Sequence, residues 1–169
     1  SGYGFGAFLD SSGGSLTVKT SDIVVGGTGA LAGGQWRASG DFFGHGFSSF
    51  TLTGVDALTI APSATVRPEP LARMQPMSAR WIASGALPAG LGVLSTPVDL
   101  RDPVRIDLSA VRAEQGFGVV TVGRGAIVDA GLCGHIGIDA ENVIGVDGTL
   151  SAAAGSIALA MPKGQAEDQ

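Results

Sequence analysis

The sequence predicts an all-β chain, a right-handed parallel β-helix (solenoid) interrupted by a proline-rich irregular excursion. Three observations predict it. Glycine accounts for 28 of 169 residues, far above an ordinary share of about 7%, and Gly, Asp or Asn breaks the chain every few positions. Between the breaks lie short segments that alternate apolar and polar side chains, the period of a strand with one buried face. The last third also repeats itself at a spacing of roughly twenty residues, the length of one solenoid coil.

The segments follow in order. Ser15-Leu16-Thr17-Val18 and Ile23-Val24-Val25 come first, then Phe50-Thr51-Leu52-Thr53, Leu58-Thr59-Ile60 and Thr65-Val66. After an interruption come Val104-Arg105-Ile106-Asp107-Leu108, Val119-Val120-Thr121-Val122 and Ala126-Ile127-Val128. His135-Ile136-Gly137-Ile138, Val143-Ile144, Thr149-Leu150 and Ser156-Ile157-Ala158-Leu159 close the series. Gly134-His135-Ile136-Gly137-Ile138 superposes on Gly155-Ser156-Ile157-Ala158-Leu159, and Gly118-Val119-Val120-Thr121-Val122 reads as a looser earlier copy. Ile127-Val128-Asp129-Ala130 is echoed by Thr149-Leu150-Ser151-Ala152. One coil cannot bury its inward side chains alone. Coils stacked about 4.8 Å apart pair each strand with its neighbours and close a common core. Residues 104–160 are therefore expected to form stacked coils, with Ile106, Leu108, Val120, Val122, Ile136, Ile138, Ile157 and Leu159 facing inward.

Residues 1–169 read as a single β-helical domain fragment, since Ser1-Gly2-Tyr3-Gly4-Phe5-Gly6 looks like the middle of a longer chain. Seven of the eight prolines fall within 62–103. Proline cannot donate to a strand ladder, so 67–102 is read as an excursion from the rod, with one short helical turn around 71–81. The glycine-rich stretch 26–46 is a second irregular segment, and 162–169 is a frayed polar tail.

Composition excludes several classes. A net charge of −5 with scattered cations gives no footprint for nucleic acid. Apolar runs are all too short for a membrane span of ~20 residues. The lone Cys133 closes no intrachain disulfide and is read as a small buried hydrophobe.

No catalytic, cofactor or metal site is expected. Ile23-Val24-Val25-Gly26-Gly27-Thr28-Gly29 imitates the opening of a dinucleotide-binding unit. The Gly34-Gln35-Trp36-Arg37 stretch after it lacks the amphipathic helix that such a unit requires. Asp129, Asp139, Asp147, Glu141 and Asn142 are too widely spaced for a calcium loop and read as corner residues. His45 and His135 have no ligand-spaced partner. The residue types that dominate binding hot spots, Trp and Arg, gather in the excursion. Arg73, Arg80 and Trp81 are the candidate partner-binding residues, the alternative being that Trp81, Met74 and Met77 fold back to cover the rod.

Three stretches carry a family resemblance: Gly14-Ser15-Leu16-Thr17-Val18 with Ile23-Val24-Val25-Gly26-Gly27; Phe42-Phe43-Gly44-His45-Gly46-Phe47-Ser48-Ser49-Phe50-Thr51-Leu52-Thr53-Gly54 with Leu58-Thr59-Ile60-Ala61; and Val146-Asp147-Gly148-Thr149-Leu150-Ser151-Ala152 with Gly155-Ser156-Ile157-Ala158-Leu159. In this order they resemble a C-terminal-region module of the filamentous haemagglutinin family, the two-partner-secreted exoproteins of Gram-negative bacteria. The resemblance implies a structural segment of a large secreted or surface-exposed adhesin, not an enzyme. It implies a host-cell receptor or glycan as partner of the parent protein. It also implies an outer-membrane transporter engaged by a part absent here, since the family's Asn-Pro secretion motifs are missing. Two rival readings use the same rod: a polysaccharide-active β-helix enzyme (lyase or hydrolase), and an autotransporter passenger.

Overall fold

The computed structural model describes residues 14–69, 71–73, 93–95, 102–112 and 117–161. Within these the regular structure is strand throughout apart from one 3-10 turn, with no α-helix. The two long strands show why. In β1 (Ser15–Val25) and β3 (Ser49–Ile60) apolar and polar residues alternate. The alternation places Phe50, Leu52, Leu58 and Ile60 fully inside while Thr51, Thr53 and Thr59 look outward. Each fully buried side chain of this size stabilises the fold by roughly 1.5–3 kcal/mol.

Both strands bend midway. The register runs Thr20↔Gly54 and then Asp22↔Ala57, so β3 carries one extra residue at the bend, a bulge that turns the strand. Gly54 packs so tightly against the Ala57 carbonyl that no Cβ fits there. Two segments that the sequence separates, Ser15–Val18 and Ile23–Val25, are thus halves of one bent strand.

The halves found two columns of stacked strands. The first halves join β7 (Arg105–Ala110), β10 (His135–Ala140) and β13 (Ser156–Ala160) in the order β1–β3–β7–β10–β13. The second halves join β2 (Gln35–Ala38), β8 (Val119–Val122) and β11 (Val143–Val146) in the order β2–β1–β3–β8–β11. A third column holds β4 (Thr65–Val66), β9 (Ile127–Asp129) and β12 (Thr149–Ser151). Every pairing in these columns is parallel. Parallel neighbours cannot be joined by a tight hairpin. From β3 onward the chain instead visits the other columns before returning one strand further along; β2, which follows β1 directly, stacks on the side of β1 opposite β3.

Register follows the sequence repeat only in part. Ile127, Val128 and Asp129 stack on Thr149, Leu150 and Ser151, and His135 on Ser156, as the echoes predict. Val119–Val122, read as a copy of the His135 segment, stacks instead on Val143–Val146 in the second column. The two segments share composition because both line the core, not because they share a column. The step from β10 to β13 is 21 residues, whereas that from β3 to β7 is 56, because the proline-rich stretch intervenes. Stacking resumes across it in register, Phe50 against Ile106 and Leu52 against Leu108.

In the intervening stretch β5 (Leu71–Arg73) pairs antiparallel with β6 (Val93–Ser95). Leu71–Arg73, expected to begin a helical turn, is therefore a strand; the rest of that expected turn and the tail 162–169 lie outside the described residues.

One continuous core fills the space between columns. Ile106, Leu108, Val120, Val122, Ile136 and Ile138 are at most 1% exposed, as alternation predicts. Ile157 and Leu159 are not: they are 44% and 56% exposed. They hold the inward register of Ile136 and Ile138, but β13 is the last strand of its column among the described residues and nothing described covers it. At the other end, aromatic rings close the core. Trp36, Phe42, Phe43, Phe50 and Phe47 touch in succession at centroid distances of 5.1–6.1 Å, mostly edge to face, an arrangement the ring quadrupoles favour. The 3-10 turn Gly40–Gly44 carries Phe43 into this cluster.

Cys133 corrects a further expectation. It is exposed, on a turn with φ of +56°, and its N–H donates to the Ala153 carbonyl. The turn backbone, not the thiol's hydrophobicity, sets its position.

Candidate functional site

The outward face of the first column brings chemistry-bearing residues together. Alternation points Arg105, Asp107 and Ser109 of β7 out of the core, and parallel register sets β10 beside them: His135 against Arg105, Gly137 against Asp107, Asp139 against Ser109. β13 adds Ser156, Ala158 and Ala160 at the same three positions. Residues 21 or more apart in sequence thus become nearest neighbours, the cross-strand pairs through which a sheet surface interacts.

Their contacts form a chain. The Arg105 Nε–H donates to Asp107 Oδ2 at 2.5 Å. The other carboxylate oxygen, Asp107 Oδ1, lies 3.8 Å from His135 Nε2. The far side of the ring, Nδ1, is hydrogen-bonded to Ser156 Oγ at 2.7 Å. A carboxylate facing Nε2 favours the tautomer with its hydrogen there, and Nδ1 then accepts from the Ser156 hydroxyl. Asp107 raises the Arg105 pKa, first through that hydrogen bond and then through Coulomb attraction, so the guanidinium stays charged. Asp107 and His135 side chains are less than one-third exposed, while Ser156 lies open to solvent.

Gly137 makes the arrangement sterically feasible. A Cβ at that position would lie 2.8 Å from Asp107 Oδ1 and 3.3 Å from His135 Nε2, inside the space the two groups share. Beside them is a shallow depression of about 250 Å³, bordered by Asp107, Ser109 and Asp139 and floored by Gly137, Ala158 and Ala160. On the third column a different pair stands apart: Arg67 donates to Asp129 Oδ2 through Nε at 3.1 Å and Nη2 at 2.8 Å.

The residues singled out from the sequence do not converge here. Arg73 lies in β5, while Arg80 and Trp81 fall outside the described residues. In the glycine-rich stretch, Gly26, Gly27 and Gly34 adopt positive φ of 72–87° around a turn, and the segment after it is the strand β2. The left-handed backbone explains glycine at these three positions. Of the acids read as corner residues, Asp129 is held in β9 by Arg67, and Asp139 lies on β10 facing the depression. Glu141 Oε2 accepts from the Arg112 N–H at 2.9 Å. Among the described residues no group of three His, Cys, Asp or Glu side chains is placed to hold a metal ion.

Sequence reasoning missed the set Asp107, His135 and Ser156. One signal for it was present, because the Gly134 and Gly155 repeats align His135 with Ser156. The Arg105-Ile106-Asp107-Leu108 segment was not recognised as a third copy, since it lacks the leading glycine. No family model matches the chain, and no curated protein or solved structure is significantly similar to it.

Proposed function

We propose that the chain is a structural segment of a large secreted or cell-surface adhesin of the filamentous-haemagglutinin type, built as a right-handed parallel β-helix. The observation that carries this reading is the in-register parallel stacking of β1, β3, β7, β10 and β13 over one apolar core. From β3 onward the chain returns to the same column, always in parallel, by way of a second and a third column, as a winding coil would. Parallel crossovers in one sheet are right-handed in about 98% of cases. Such an architecture grows by adding coils and yields length rather than an enclosed pocket, which suits a rod presenting a surface. The three stretches that resemble the family support the same assignment. The partner is a host-cell receptor or glycan engaged by the parent protein.

The test is location. Antibodies raised against the chain should label the surface of intact source cells, or recover the protein from the medium. Label found only after the cells are opened contradicts the reading.

A polysaccharide-active enzyme is the second reading, favoured by one observation: Asp107 and Asp139 border the same depression, beside His135. Two carboxylates flanking a groove are what glycoside hydrolysis employs.

A further inference from the structure

We propose that Ser156, His135 and Asp107 form a hydrolytic site for short-chain O-acyl esters on the outward face of the first column. A serine is a weak nucleophile unless a base within hydrogen-bond reach takes its proton, and that base must itself be oriented by a third group. Ser156 Oγ lies 2.7 Å from His135 Nδ1, and Asp107 Oδ1 faces the opposite ring nitrogen at 3.8 Å. Asp107 is fixed in turn by Arg105, and the missing side chain of Gly137 leaves the carboxylate its place. Nucleophile, base and orienting acid therefore occupy three adjacent parallel strands, a relation that no local sequence motif displays.

The reaction needs a donor for the oxyanion. The Ser156 N–H donates to the carbonyl of Gly134, the residue just before β10. Successive residues of a strand direct their backbone groups to opposite edges, so the Ile157 N–H points away from β10. Among the described residues no strand pairs with β13 on that side, so this amide, following the nucleophile directly, is the donor assigned to the developing oxyanion.

The chemistry balances with water as the only co-reactant. Ser156 Oγ attacks the acyl carbon, its proton passes to His135 Nδ1, and the carbonyl electron pair moves onto oxygen. When that pair returns, the ester C–O bond breaks and His135 gives its proton to the departing alcohol. Water repeats the sequence on the acyl-serine, releasing a carboxylic acid and restoring the hydroxyl. Asp107, acting as a positioning residue, stabilises the imidazolium formed in each half. The depression that borders Asp107 is open and floored by Gly137, Ala158 and Ala160, Ala158 being the next outward position after the serine on β13. It suits a small acyl group such as acetyl on a larger alcohol, and offers no enclosed channel for a long chain.

The experiment uses the 169-residue chain itself. A fluorophosphonate probe should form an adduct on Ser156, located by peptide mass spectrometry, and the chain should hydrolyse p-nitrophenyl acetate. Ser156→Ala and His135→Ala should each lower the hydrolysis rate by about 100-fold or more, with circular dichroism unchanged because both side chains point outward. Added imidazole should restore part of the His135→Ala rate and none of the Ser156→Ala rate. Asp107→Asn should lower kcat with little change in KM while the adduct still forms, only more slowly. The adduct on the unsubstituted chain decides without reliance on any variant. Absence of label on Ser156, or labelling equally fast in His135→Ala, overturns the proposal.

Discussion

His135 lies beside Ser156 in the first column, its Nδ1 2.7 Å from the serine Oγ, although 21 residues separate them in the chain. Parallel register makes them neighbours. The same register sets Gly137 against Asp107, and the first prediction turns on that glycine. Gly137→Ala would place a Cβ 2.8 Å from Asp107 Oδ1, so the carboxylate must swing away from His135. Alanine is also favoured over glycine within a strand by roughly 0.5–1 kcal/mol, so the fold should survive. A crystal structure of the variant should show Asp107 and His135 further apart, with β7 and β10 still in register. Finding Asp107 unmoved would refute the steric role given to Gly137.

The second prediction contrasts two isoleucines in one inward file. Ile136 is fully buried, and Ile157, paired with it on the next strand, is 44% exposed. Ile136→Ala should cost about 2–5 kcal/mol, combining lost transfer energy with a cavity. Ile157→Ala should cost clearly less, because the site is already open to water. Urea unfolding of the two variants measures the difference. Equal losses would mean that β13 is covered in solution.

The third prediction concerns acid. Burial alone would raise the Asp129 pKa, but the Gly131 N–H, the Arg67 guanidinium and Ser151 together outweigh it and hold the carboxyl below its ordinary value. A depressed folded pKa contributes stability above the unfolded value of about 3.9, and that contribution is lost as pH falls through the lower, folded value. Arg67 is 63% exposed, so screening limits the ion pair to under about 1 kcal/mol. Asp129→Asn should therefore lower the urea midpoint at about pH 6, and the gap to the parent protein should narrow as the pH falls below about 3.9. A gap that widens on acidification has the wrong sign for this account.

Much of this architecture was legible because alternation is local. Ile106, Leu108, Val120 and Val122 reveal their inward direction from their own neighbours, and Thr149-Leu150-Ser151 reveals its column by echoing Ile127-Val128-Asp129. What was not legible depends on strands far apart in sequence. That Val119–Val122 belongs over Val143–Val146 is a matter of which column a segment enters, and similar apolar composition hides it. The exposure of Ile157 and Leu159 follows from β13 being the last strand of its column among the described residues, which alternation does not encode. The Asp107, His135 and Ser156 set was hidden for the same reason: its members meet only once three strands lie in register. The exposed Cys133 shows a turn's φ overriding residue preference.

The central claim is the parallel register of the first column, and methyl contacts measured by NMR test it most directly. The account predicts strong nuclear Overhauser effects from Ile136 to both Ile106 and Ile157, and from Ile138 to both Leu108 and Leu159. Direct effects between Ile106 and Ile157, two strands apart, should be far weaker. Antiparallel pairing of β10 and β13 would instead join Ile136 to Leu159 and Ile138 to Ile157, and that pattern would contradict the stacked, in-register fold.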